Sequence, residues 1–178
     1  MRTLFCASVA VFLAVASPTF AQSVPEKTGV NSALGIAPKT QDFVTEAAQS
    51  DMLEIESSKL ALTKTDSAKT KAFADRMVKD HTVTSTELKG LVTAGKVQAS
   101  LPSALDKAHK EKLDKLTKLS GKDFTKEYND LQVAAHKDAV SLFERYGKSG
   151  ENADLKAFAS KHLPHLQQHL LMAQDLNK

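Results

Sequence analysis

Three of the six histidines in this 178-residue chain crowd into one stretch, KHLPHLQQHL, residues 161 to 170. At about 100° per residue, His162, His165 and His169 fall within about a 60° arc of a helix, so their imidazoles share one stripe. Upstream, MVKDH sets Met77, Asp80 and His81 on a second stripe, with Met77 and His81 four apart and therefore neighbours. Glu54 lies within about 20° of Phe43 and Ala47 by the same count, whereas Glu56 points well away. His136 lies in the apolar arc between Leu131 and Phe143. Imidazole joined by one or two carboxylates suits zinc, copper, nickel or iron, and a nearby methionine would favour copper(I).

The same residues have plainer uses. A histidine on an apolar stripe also serves as a hydrogen-bonded core residue, and Glu54 can pair with His81 or His169. Asp80 is as well placed to orient the His81 ring as to ligate. Met52, Met77 and Met172 read as core filler rather than a copper box. A paired-iron centre needs Glu-x-x-His on two helices, and that motif does not occur; the nearest is Asp106-x-x-His109 in a short connecting segment. There is no G-x-S-x-G, no phosphate-cradling glycine loop and no His-Glu-x-x-His. Nothing in the sequence demands an enzyme.

The elements that must position these residues read as helices throughout, with apolar spacing near 3.6 and abundant Ala, Leu, Lys and Glu. The first runs from about Gln41 to Lys64 and is expected to bury Phe43, Ala47, Ile55 and Leu62. The second follows a turn at KTDS, where Asp66 is the expected N-cap, and carries Phe73, Met77, Leu88 and Leu91 to about Gly95. A loop with Pro102 leads to a short basic helix from about Ser103 to Leu119. The third long helix, capped near Ser120 or Asp123, carries Phe124, Tyr128, Leu131, Leu142 and Phe143 and stops at YGKSG. The fourth spans about Asn152 to Leu176; Pro164 inside it predicts a bend or a fresh start. AKTKAFADRM, from Ala68, is echoed by ADLKAFASKH, from Ala153, 85 positions on. Two copies of a helical hairpin with one long connection, residues 96 to 120, make an all-α four-helix bundle of ferritin-like connectivity.

Residues 1 to 21 have the layout of a secretory signal peptide: an early Arg2, an apolar run from Leu4 to Ala16, and Thr19-Phe20-Ala21 as the cleavage site. That run, at about 13 residues, is too short to span a bilayer, and no later run predicts a transmembrane segment. Residues 22 to 39, with two prolines and two glycines, read as a flexible leader, and residues 40 to 178 as the folded domain. Cys6, the sole cysteine, leaves with the signal peptide. The product is expected to be periplasmic or secreted. A net charge of +3 is too balanced to point at nucleic acid. The seven lysines from Lys107 to Lys126 are interleaved with Glu111, Asp114 and Asp123 and read as a solvated face.

The blocks NSALGIAPKTQDFV, AAQSDMLEIESSKLA, KAFADRMVKDH, LSGKDFTKEY and LKAFASKHLPHLQQHLLMAQ resemble, in order, those of the domain-of-unknown-function 4142 family. Its members are exported bacterial proteins of the ferritin-like superfamily, often labelled outer-membrane or membrane proteins. The likeness covers residues 31 to 176. It implies a periplasmic four-helix bundle in which Glu54, Asp80, His81, His136 and His169 match the recurrent polar positions, while His162 and His165 fall outside them. Where the family often places Met and Asp before the third-helix histidine, this chain has LQVAAH, with Gln132 and Ala135, so a site built from two equal halves would be lopsided. Two expectations follow. One is a transition-metal ion, zinc, copper or iron, held by those five residues for metal handling or envelope stress protection. The other is a metal-free structural protein that binds an envelope partner.

Overall fold

A computed structural model describes Ser23 and residues 29–178; the expected signal peptide and most of the leader lie outside the described residues. Those residues are all-α, with no strand among them. Six helices follow in order: α1 Val30–Ala33, α2 Thr40–Lys64, α3 Ala68–Thr93, α4 Lys107–Thr117, α5 Gly121–Ser149 and α6 Ala153–Leu176. The four long helices pack as two sequence-adjacent pairs, α2 with α3 and α5 with α6, joined by contacts of α2 with α5 and of α3 with α6. The short α4 lies in the long connection and rests on α2 and α5.

Local chemistry sets the boundaries. The N-cap of α3 is Ser67, which accepts from the Thr70 N–H, so the expected Asp66 is displaced by one residue. A Ser side chain caps as well as an Asp, and here the adjacent position has the right backbone. Asp106 caps α4 and Asn152 caps α6 in the same way. α3 ends against Gly95, whose φ of 71° lies in the left-handed region that glycine occupies without penalty. α6 runs through Pro164 without a break. The carbonyl that Pro164 leaves without a donor belongs to Ser160, an exposed residue where water can satisfy it.

The buried residues form two apolar clusters with a polar layer between them. Phe43, Val44, Ala47, Leu88, Leu142, Phe143, Tyr146, Leu155 and Phe158 belong to one cluster. Ala61, Phe73, Ala74, Met77, Leu116, Phe124, Tyr128 and Ala173 form the other. Along every long helix the chain passes from one cluster to the other through buried polar positions: Asp51, Glu54, Ser57 and Ser58 on α2, His81 and Thr84 on α3, Asn129, Gln132 and His136 on α5, His162 and His169 on α6. This layer displaces two expected core residues, since Leu62 is exposed and Ile55 only half-buried. The inward stripe of α2 is occupied at its centre by polar side chains, and Ile55 and Leu62 sit off its edge.

The part of the leader that is described is tied to the helices rather than free. Ser23 donates from N and Oγ to the two Asp42 oxygens at 2.8 and 2.5 Å, and Arg145 donates to the Ile36 carbonyl at 2.6 Å. The basic connection forms local ion pairs, among them Lys110 with Asp114 and Lys115 with Glu127, as a solvated face should. No helix among the described residues is long and apolar enough to cross a membrane.

Candidate metal centre

Three of the five expected site residues meet at the middle of the polar layer. His81 from α3, His136 from α5 and His169 from α6 form a near-equilateral triangle, with ring centroids 5.6, 5.6 and 5.5 Å apart. One ring nitrogen from each lies within 4.8 Å of the other two, and all three side chains are buried.

The hydrogen bonds on the far side of each ring fix which nitrogen bears the proton. His136 Nδ1 lies 2.9 Å from the Gln132 carbonyl, which can only accept, so Nδ1 is the donor and Nε2 carries a lone pair. His169 donates from Nε2 to Asp80 Oδ2 at 2.8 Å, which leaves Nδ1 as its lone-pair atom. His81 donates from Nδ1 to Asp51 Oδ1 at 2.8 Å and leaves Nε2. Those three remaining nitrogens find no hydrogen-bond partner among the described residues. Buried polar atoms are nearly always paired. Here three acceptors converge and no donor faces them, an arrangement that a cation satisfies.

For two of the three rings the electrostatics agree. Burial, and then the neighbouring His81, lower His136 to about 3; the same two causes lower His169 to about 4. Both rings are therefore neutral at ordinary pH. Burial pulls His81 down as well, but the hydrogen bond and charge of Asp51, with Glu54 and Asp80 behind it, outweigh burial and raise it. Burial raises Asp51 despite the His81 bond. Burial also raises Asp80, yet hydrogen bonds from His169 and Arg76 prevail and hold its carboxyl below the usual range.

Glu54 and Asp80 play different parts. Asp80 is half-exposed, bonded to Arg76 as well as to His169, and acts from outside the triangle to orient the His169 ring and not, as expected, the His81 ring, which Asp51 holds instead. Glu54 is buried with Oε1 3.8 Å from His136 Nδ1, and neither of its oxygens has a hydrogen-bond partner among the described residues. Burial pushes its carboxyl up to about 7. It stands beside the triangle, not within it.

Asp51 is a site residue that the sequence reading missed. The signal was present, because Asp51 lies three positions before Glu54 on the same stripe of α2, but no partner was in view until α3 was packed against it. KHLPHLQQHL does not form a cluster of its own. His162 donates from Nε2 to Glu87 Oε2, 2.9 Å away, and packs on Phe158, while His165 is exposed. Met77 packs in the apolar cluster with Phe73 and Tyr128, as filler should.

The model of the family described as Domain of unknown function (DUF4142) matches residues 25–176. The chain belongs to the DUF4142 family. No curated protein and no solved structure matches it. The match spans every residue of the triangle and its supporting acceptors, so the site lies wholly within the family domain.

Proposed function

We propose that this DUF4142 chain is an exported, ferritin-like four-helix bundle that holds a single transition-metal ion on His81, His136 and His169, for metal handling or protection of the cell envelope. The observation that carries this reading is the convergence of three buried lone-pair nitrogens, each held by an acceptor on the opposite side of its ring. Metal-ligating histidines characteristically have such partners. A zinc–imidazole bond of 2.0–2.1 Å requires nitrogens about 3.4 Å apart, so closing the triangle takes side-chain shifts of about 1 Å. Glu54, buried beside His136 with neither oxygen hydrogen-bonded among the described residues, is the candidate fourth ligand. Imidazoles with a carboxylate beside them suit zinc, copper(II) or iron(II). Periplasmic localisation is supported by the signal-peptide layout of residues 1 to 21.

Elemental mass spectrometry on the untagged, exported protein, beside His81→Ala and His169→Ala, tests the reading. About one transition-metal ion per chain, lost in both variants, is the expected result. A second reading is a metal-free polar network in a structural envelope protein, and the raised pKa of His81 favours it by allowing a proton to sit where the ion would. Absence of metal in the wild type after titration with zinc, copper and iron would select that second reading.

A further inference from the structure

Toward α2 and α5 the triangle's neighbours Glu54 and Gln132 are buried against His136. On the remaining side, α3 and α6 part to leave a cavity of about 200 Å³. Its walls include Asp80, His81, Thr84, His162, His165 and His169. Two of the three proposed ligands therefore line a recess that is partly open to solvent, whereas none of the other cavities described reaches any of the three. The volume holds several waters at about 30 Å³ each, enough for a partly hydrated ion.

The three histidines of KHLPHLQQHL all line this recess and differ in exposure. His165 is exposed, His162 is 7 % exposed and His169 is 2 % exposed. Spacings of three and four residues make them successive neighbours on the same face of α6. Neither His162 nor His165 belongs to the triangle. A borderline cation arriving from solvent meets the His165 imidazole first and the His169 imidazole one helical turn further in, with the Asp80 carboxylate beside it.

We infer that the α3–α6 recess is the port through which a divalent transition-metal ion reaches and leaves the buried histidine triangle, with His165 as its outer contact. This rests on the metal-site reading proposed above. The port makes a kinetic claim distinct from the site's thermodynamic one: altering it changes both rates together and leaves the equilibrium alone.

Stopped-flow uptake of cobalt(II), followed by its visible absorbance, with release measured by chelator chase, separates the two. Val83, 61 % exposed, also lines the recess, so Val83→Trp fills it without entering the core. Val83→Trp and His165→Ala are each expected to slow uptake and release by about tenfold while Kd stays within about twofold. Leu171→Trp, at a position 67 % exposed and outside the recess, is the control and should change neither rate. Wild-type rates in both recess variants, with Kd unchanged, would overturn the port and leave the metal site standing. Failure of the wild-type protein to take up cobalt(II) or zinc(II) at all would overturn the site reading, and the port with it.

Discussion

At the residue scale, Glu54 offers the sharpest test, because it is fully buried and neither of its oxygens has a hydrogen-bond partner among the described residues. Its folded pKa of about 7 stands above the usual 4.5, so the folded state holds its proton more tightly than the unfolded chain. The stability this contributes is fully present below pH 4.5 and is lost as pH rises toward 7. His136 and His169, lowered to about 3 and about 4 from 6.5, act in the opposite sense and cost stability as pH falls below 6.5. Glu54→Gln removes the first contribution, together with the share of Glu54 in raising His81. In chelator, urea unfolding should therefore show the variant gaining on the wild type between pH 4.5 and 7, and exceeding it by about 3 kcal/mol at pH 8. An equal or lower stability for the variant at pH 8 would show that the buried carboxylate has a compensating partner. Asp51→Asn tests the orienting role. Asparagine can still accept from His81 Nδ1 but no longer as an anion, and the expected loss in zinc affinity by chelator competition is about 10- to 100-fold. Unchanged affinity would reduce Asp51 to a packing residue.

At the element scale, the turn between α5 and α6 depends on a close approach that needs glycine. A Cβ at Gly150 would fall against the Tyr146 ring and 2.7 Å from the Tyr146 carbonyl oxygen. That ring packs on Phe43 at 4.3 Å between centroids, and its hydroxyl lies 2.7 Å from Thr40 Oγ1, so displacement would be felt at the start of α2. Gly150→Ala should destabilise by about 1–3 kcal/mol, read from the urea midpoint with the slope unchanged. A wild-type midpoint would mean that the ring yields without cost. Helices α2 to α6 were legible, because a 3.6-residue apolar period runs along them and the turns carry Gly, Ser and Asn where chain reversal needs them, whereas the four-residue α1 falls in the stretch expected to be a flexible leader. The phase of α2 was less so. Counting apolar side chains favoured Ile55 and Leu62, since hydropathy cannot register that an inward Asp51 or Ser58 will be satisfied by a side chain from another helix. For the same reason His81, His136 and His169 could be placed on inward stripes but not brought to a common point. Their meeting depends on the axial register of three helices, which no local pattern encodes.

At the scale of the whole molecule, a ligand that binds only the folded state stabilises it in proportion to the logarithm of its excess. Zinc at 100 times its dissociation constant should add about 2.7 kcal/mol, which for a domain of this size raises Tm by roughly 5–10 °C. The increment should vanish in His81→Ala. Identical melting with and without each divalent ion would contradict a specific site.

The polar layer has one more consequence. Because the two apolar clusters touch through hydrogen-bonding side chains and not through continuous hydrocarbon, each end of the molecule can loosen with limited cost to the other. Amide hydrogens around Phe158 and those around Phe124 should then exchange as two separate cooperative units in chelator. Seated on α3, α5 and α6 at once, an ion would act as a rivet between them, and the two exchange rates would merge.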